Sequence, residues 1–206
     1  MKNKHIAFAL LWFFSIKLTA QQLTYVPDIV IGHRSSTYLH NVNFQFNNKI
    51  RVNNLTLFDT EYKENKNNIF FIRNTLSYNI SKKISLNAAL GIKNPGSFFT
   101  ISAQYRILKP TYSFAYSIGT TYQKGITIEQ SISIEYYPRL TENLQLYFNF
   151  LAIANVNLEE YQRGLQFIRL GLKEKKVSYG LFLNLDQFNN NNKTLENAGT
   201  FIKYQF

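Results

Sequence analysis

The chain has 206 residues, a net charge of +11, no cysteine, and a charged fraction of only 17%. This length fits one domain, and a chain without cysteine has no disulfide framework, Cys-based metal site, thiol nucleophile or lipoprotein anchor. The charged fraction lies below the roughly 25% of average soluble domains. Because the basic residues are scattered and many lie in turn-like segments such as 81–83, we expect solvated turns and no nucleic-acid partner.

Residues 1–20 have the three-part layout of a secretory signal. Lys2 and Lys4 form a positive start, residues 6–16 are apolar, and the segment ends at the small residue Ala20. An apolar run of this length is too short for a hydrocarbon core of about 30 Å, which needs about 20 residues. We therefore predict a cleaved signal peptide, residues 1–20, followed by one domain, residues 21–206, with a net charge of +8.

From Tyr38 onward, segments of about ten residues alternate apolar and polar side chains, which predicts strands with two different faces. Eleven such segments follow one another. Bacterial transmembrane barrels usually have an even number of strands, so a further strand is expected at 25–32, although Pro27 weakens it. The predicted fold is all-β: a closed, antiparallel, up-and-down transmembrane β-barrel of about twelve strands, with ten as the alternative.

Segment 49–62 is less regular than the rest. Ile50 and Val52 share one parity and Leu55 and Leu57 the other, which predicts a bulge near residues 53–54. The connections between the segments alternate between tight turns and longer, more polar stretches. Because barrel proteins have short periplasmic turns and longer outer loops, this alternation predicts that both termini lie on the periplasmic side.

A soluble β-sandwich would also show alternation. Here the apolar face is aromatic-rich on nearly every segment, with Tyr and Phe often near the segment ends, as the interfacial girdles of a membrane barrel require. The opposite face is mostly small or polar. These features favour a barrel in the bacterial outer membrane, in contact with lipid, over a soluble protein.

Parity also predicts which charged side chains face the lumen. They would form either a charged constriction that selects solutes or a plug of paired charges that fills a narrow barrel. The set is Arg73, Lys93, Arg106, Glu129, Glu135, Arg169, Asp186 and Lys203.

The last eight residues, 199–206, end in Phe206, with Tyr204 and Ile202 at alternate positions before it. This ending resembles the recognition signal of outer-membrane barrels. The resemblance implies that the barrel-assembly machinery is a partner and reads Ile202, Tyr204 and Phe206. The start after residue 20, Gln-Gln, and the richness in Asn, Lys and Tyr resemble small outer-membrane proteins of the Bacteroidetes group of Gram-negative bacteria.

His33 and Ser35 form a His-x-Ser element similar to that of outer-membrane lipid hydrolases, in which His activates Ser on the outer wall. The resemblance would make His33 the base and Ser35 the nucleophile, but the element lies at the start of the domain, without a matching third residue. His40 is expected to be a plain surface residue of the wall. No phosphate-binding, dinucleotide-binding, zinc or calcium motif is present, so we predict no cofactor and no metal.

Three functions therefore remain open. The first is a narrow, porin-like channel or uptake protein for small solutes. The second is a structural or accessory barrel within an envelope or secretion assembly, with a partner still to be identified. The third is the lipid hydrolase, which is the alternative if the chain is an enzyme; otherwise we expect no enzymatic activity.

Overall fold

The computed structural model describes residues 22–94, 96–157, 161–188 and 192–206, so the predicted signal peptide lies outside the described residues. Apart from one turn of 3-10 helix, Asn65–Asn67, the regular structure is entirely β. The strands are β1 Gln22–Gly32, β2 Ser35–Gln45, β3 Ile50–Glu61, β4 Ile69–Asn79, β5 Ile84–Lys93, β6 Gly96–Leu108, β7 Tyr112–Tyr122, β8 Ile126–Tyr136, β9 Leu144–Val156, β10 Tyr161–Glu174, β11 Val177–Phe188 and β12 Lys193–Tyr204.

The twelve strands form one closed antiparallel barrel in which each strand pairs with its neighbours in sequence and β12 pairs with β1. Following paired residues once around the sheet returns to β1 displaced by about 16 residues, the stagger that a tilted, closed barrel requires. The prediction of a closed barrel with twelve strands is confirmed, and the ten-strand alternative is wrong.

Pro27 lies within β1 without interrupting it. The backbone carbonyl of Tyr25 accepts a hydrogen bond from the Phe206 N–H at 2.9 Å, so this edge of β1 faces the C-terminal strand. Alternate residues of a strand direct their backbone groups to the same side, and Pro27 therefore shares the edge of Tyr25. The regular β1–β12 pairing begins only at Asp28, so the missing N–H of Pro27 leaves a gap between that pairing and the single hydrogen bond at Tyr25.

The bulge predicted near residues 53–54 is wrong. β3 keeps a continuous register with both β2 and β4 from Arg51 to Asp59. The consequence is an exchange of faces: Leu55 lines the interior cavity, and Asn54 and Thr56 lie on the outward face. In the middle of β3 the apolar residues move from the outward face to the inward face. The backbone stays regular, and only the residue types at the two faces are exchanged.

The connections at the two ends of the barrel have similar lengths. They range from two residues, as at 33–34 and 175–176, to seven, at 62–68 on one end and 137–143 on the other. The polar stretch 156–163, which the sequence presents as one of the longer connections, belongs partly to strands, because β9 extends to Val156 and β10 begins at Tyr161. Loop length therefore does not orient this barrel, and the periplasmic location of the termini stays a prediction.

The outward face is a broad apolar surface. Large aliphatic side chains are exposed on many strands around the barrel, for example Leu90 at 64%, Ile126 at 70% and Leu181 at 64%. An apolar surface of this extent is unusual for a protein in water and matches the lipid-facing band of a membrane barrel. Within the part of the chain that the structure describes, no helix is long and apolar enough to cross a membrane.

Candidate functional site: a polar lumen in one half of the barrel

A cavity of about 580 Å³ lies inside the barrel, and its lining comes from strands β2 to β8. At about 30 Å³ per water molecule, it has room for roughly 20 waters. On β6 it extends from Thr100 to Leu108, and on β8 from Glu129 to Glu135, so it follows most of the length of these strands. The cavity is therefore an elongated lumen rather than a local pocket.

Amides and hydroxyls form most of the wall of this lumen. Asn53 Nδ2 donates to Asn43 Oδ1 at 2.9 Å, and Asn43 Nδ2 donates to Asn41 Oδ1 at 2.8 Å. Small polar residues on the facing strands, such as Ser117 and Ser133, keep space open along the axis. This is a hydrated, hydrogen-bonding surface that suits ions and hydroxylated solutes.

An ion pair between Arg73 and Glu129 crosses the lumen from β4 to β8. Thr121 donates a hydrogen bond to Glu129 at 3.3 Å. The guanidinium carbon of Arg73 lies 5.7 Å from the ring centroids of both Phe71 and Phe98, within cation–π range. We call this ion pair the Arg73–Glu129 bar, because it spans the lumen and narrows it. Its two charges are opposite and therefore partly cancel each other.

Arg51 and Arg106 also line the lumen, on β3 and β6. Arg106 Nη2 donates to Asn79 Oδ1 at 3.2 Å. Among the described residues, neither arginine is in an ion pair with a carboxylate. Guanidinium groups stay charged at all working pH values, so these two residues give the lumen a positive potential.

The other half of the interior is filled by side chains of β1 and β9–β12. Asp28 of β1 and Arg169 of β10 form an ion pair at 3.1 Å, and both are almost fully buried. The Arg169 guanidinium lies 5.7 Å from the ring centroid of Phe201. Val30, Tyr147, Phe182 and Phe201 form the buried apolar cluster beside this pair.

Lys203 joins the filled half to the lumen. Its ammonium lies 3.4 Å from Glu135 Oε1 and donates to the Tyr147 hydroxyl at 3.1 Å. A small cavity of about 60 Å³ adjoins these side chains and Tyr137 of the β8–β9 connection. Burial raises the pKa of the Tyr137 phenol, and the nearby Glu135 carboxylate raises it further.

The structure thus brings together only part of the predicted lumen set. Arg73, Arg106, Glu129 and Glu135 line the open lumen. Arg169 and Lys203 belong to the filled half, as described above. Asp186 forms a bidentate pair with Arg163, with distances of 2.9 and 2.7 Å, and the Lys93 ammonium lies 5.1 Å from the ring centroid of Phe98.

Sequence reasoning missed Arg51 and Asp28. Arg51 lies in the segment where the predicted bulge obscured the parity, and unbroken alternation would have placed it on the face of Asn53. Asp28 follows Pro27, in the strand with the weakest sequence signal. For both residues the missing information was the register of their strand.

The predicted hydrolase pair does not assemble. Ser35 is fully buried and its hydroxyl donates to Asp59 Oδ1 at 2.8 Å, so it does not lie on the outer wall. His33 lies in the β1–β2 turn, where its Nδ1 accepts from the backbone N–H of Ala198 at 3.1 Å. Each side chain is held by other partners, and a general base in contact with its nucleophile is what the reaction would need. No group of three or more metal-ligating side chains occurs in the described ranges.

The C-terminus lies against β1. The Phe206 ring stacks on Tyr25 at 5.5 Å and contacts the Tyr204 ring at 4.5 Å. Phe206 nevertheless remains 63% exposed, and Ile202 52%. These side chains form part of the outward surface beside the β1–β12 junction.

No protein-family model matches the sequence, and no curated protein matches it. Solved structures do resemble the fold. A KdgM porin in complex with disordered oligogalacturonate has a TM-score of 0.53 at 9% identity, covering 89% of this chain and 98% of that one. A NanC porin in a rhombohedral crystal form has a TM-score of 0.53 at 7% identity with the same coverage. At such identities the likeness is one of fold: this chain is built like a small outer-membrane porin.

Proposed function

We propose that this protein is a narrow outer-membrane channel that favours small anionic solutes. The observation that carries the proposal is the elongated polar lumen with Arg51 and Arg106 free of carboxylate partners among the described residues. Charged rings with one dominant sign select permeant ions in pores. The filled half of the barrel limits the width, so the solutes are expected to be small and to pass in hydrated form.

The proposed location follows from the outward surface and from both ends of the sequence. Exposed aliphatic side chains around the barrel need lipid contact. Residues 1–20 would direct export as a cleaved signal, which leaves 21–206 as the mature domain. Ile202, Tyr204 and Phe206 would be read by the barrel-assembly machinery, as in other proteins of Gram-negative outer membranes, and the composition favours the Bacteroidetes group.

The solute class can be narrowed by chemistry. Arginine recognises carboxylates in a bidentate manner, and the asparagine-rich wall can exchange hydrogen bonds with hydroxyl groups. The KdgM porin of similar fold is in complex with oligogalacturonate, a carboxylated sugar chain. We therefore propose small carboxylated sugars as the solutes to try first, beside simple anions such as chloride.

Planar-bilayer recording of the purified protein tests the channel. We expect discrete conductance steps and, in a KCl gradient, a reversal potential that indicates preference for chloride. The double variant Arg51→Gln/Arg106→Gln is expected to lower the chloride-to-potassium permeability ratio about fivefold or more. Each removed charge changes the electrostatic energy of a permeating monovalent ion by about 1 kcal/mol in a hydrated pore.

The matched control is Lys82→Gln/Lys83→Gln, which removes two positive charges from an exposed turn between β4 and β5. Its permeability ratio should stay within error of the wild-type value. Absence of conductance over many insertions of folded barrel would refute the channel. Equal ratios in the wild type and the lumen variant would refute the assignment of Arg51 and Arg106.

Deletion of Phe206 tests the assembly signal separately. In cells we expect most of the folded, heat-modifiable barrel to disappear. In the folded barrel Phe206 contributes one backbone hydrogen bond and partly exposed ring contacts. The purified variant should therefore still refold into detergent, with a free energy of unfolding only about 1 kcal/mol lower than that of the wild type. Gel shifts with and without boiling measure both.

Leu23→Ala is the matched control for that deletion. Leu23 is an equally exposed apolar residue of β1, also 63% exposed, near the same end of the barrel. It should assemble normally in cells. Loss of refolding in vitro for the Phe206 deletion would show that its role is structural rather than one of recognition.

A further inference from the structure

The outward face of β1 to β4 carries a group of polar side chains that the proposed channel does not use. Unlike the lumen residues, they have the parity of the exposed apolar residues Ile29, Ile50 and Leu76 of the same strands. We call this group the outer polar patch: Tyr25, Tyr38, His40, Asn54, Thr56 and Asn74.

Hydrogen bonds connect the whole patch across four neighbouring strands. The Tyr25 and Tyr38 hydroxyl oxygens are 2.8 Å apart, and His40 Nδ1 lies 3.2 Å from the Tyr38 hydroxyl. On the other side of the ring, His40 Nε2 lies 3.2 Å from Asn54 Oδ1. Asn54 Nδ2 then donates to Asn74 Oδ1 at 2.8 Å. Thr56 Oγ1 also donates to Asn54 Oδ1, at 3.1 Å.

The patch lies at the middle depth of the wall. His40 is the sixth of eleven residues in β2, and Asn74 is the sixth of eleven in β4. The outward residues on both sides of Asn74 are Ile72 and Leu76. In β5 the same face is purely aliphatic, with Ile84, Leu86, Ala88, Leu90 and Ile92.

Asn74 is the last residue of this hydrogen-bond network, and its amide nitrogen has no partner among the described residues. Its carboxamide oxygen accepts from Asn54, but its Nδ2 group donates no hydrogen bond to any described residue, and the side chain is exposed. An amide donor in hydrocarbon without a partner costs several kcal/mol. The outer polar patch therefore needs a polar surface opposite it at the same depth.

We propose that the outer polar patch is the contact surface for a second copy of this chain. Two identical barrels inserted in the same direction are related by a two-fold axis along the membrane normal, which keeps every residue at its own depth. Asn74 of one copy then faces Asn74 of the other. A carboxamide carries both a donor and an acceptor, so two of them complete each other's hydrogen bonds.

The complete absence of cysteine in the chain makes a direct test possible. Asn74→Cys in lipid vesicles should form a disulfide-linked dimer under mild oxidation. The control is Leu170→Cys, an outward residue, 52% exposed, on β10, which is the strand diametrically opposite β4 in the closed order. It should remain monomeric under the same conditions.

A second variant separates association from folding. Asn74→Leu removes the unpaired amide donor from a lipid-facing position but also takes away the acceptor of Asn54 Nδ2. Because these two effects oppose each other, we expect the barrel to fold with a stability within about 1 kcal/mol of the wild type, as the gel shift of the unboiled sample will show. Its dimer dissociation constant, measured by sedimentation in detergent, should rise about three- to twentyfold, the range expected for one polar contact between membrane segments.

Three outcomes would overturn the proposal: no cross-linking of Asn74→Cys, equal cross-linking of Leu170→Cys, or an unchanged dissociation constant in Asn74→Leu. If the wild type is monomeric and a different membrane protein co-purifies in an Asn74-dependent manner, the occupant is that protein and the two-fold model is wrong. Because no variant here alters the lumen, conductance should be retained throughout, so this test is independent of the proposed channel.

Discussion

Replacing Arg169 by methionine should lower the free energy of unfolding by about 3–5 kcal/mol, because it leaves the buried carboxylate of Asp28 without its ion-pair partner. Asp28 is only 5% exposed and Arg169 is also 5% exposed. Urea unfolding of the barrel in lipid or detergent, followed by the gel shift of the unboiled sample, measures the loss.

The double variant Asp28→Leu/Arg169→Met is the informative control. Replacing both partners of a buried ion pair by apolar residues is often neutral, and these positions adjoin the apolar cluster that includes Val30 and Phe201. We expect the double variant to recover most of the stability lost by Arg169→Met. If the double variant is as unstable as the single one, the pair is not the cause.

Gly199→Leu should prevent the barrel from closing, with a loss of at least about 3 kcal/mol. A Cβ atom at this position would lie 2.1 Å from the Ile31 carbonyl oxygen and 2.7 Å from the Gly32 Cα. Both neighbours are backbone atoms of β1, which cannot move aside as a flexible side chain would. The β1–β12 pairing extends only from Asp28 to Gly32 on β1, so this contact lies in the shortest junction of the sheet. The expected result is loss of the heat-modifiable form after refolding.

Gly125→Leu is the matched substitution. Gly125 lies in the β7–β8 turn, where an added Cβ would have no atom within 4 Å. It should refold like the wild type. Normal closure of Gly199→Leu would mean that β12 can shift away from β1 and that the short junction tolerates a wider gap.

The period-2 pattern predicted eleven of the twelve strands, because one face of each is apolar and the alternation persists even where tight turns separate the strands. The first strand, β1, was expected only because bacterial barrels usually have an even number of strands. The same pattern could not define segment 49–62. There Asn54 and Thr56 take outward positions and Leu55 an inward one, so residue type and face disagree while the backbone stays regular. The change of apolar parity between Val52 and Leu55 is why the pattern suggested a bulge instead.

Alternation along a strand could show that a charged residue faces the interior, but it could not show with which residue it forms an ion pair. Arg73 and Glu129 are 56 positions apart in sequence and meet only because the barrel curves β4 towards β8. The division of the interior into two halves could not be predicted from alternation either. Bulky residues such as Tyr147 and Phe201 fill one half, while serines and asparagines leave the other open. Which half is open depends on how facing strands combine, and one strand's sequence does not contain that information.

The short connections at both ends of the barrel have a consequence for how access is controlled. A seven-residue connection that leaves the rim and returns reaches about 12 Å at full extension, and 62–68 is shortened further by its 3-10 turn. Among the connections that the structure describes in full, none is longer than seven residues, so none of these is suited to fold inward as a lid. Opening and closing would then fall to wall side chains such as the Arg73–Glu129 bar. These short described connections also leave little protruding chain to which antibodies or bacteriophages could bind.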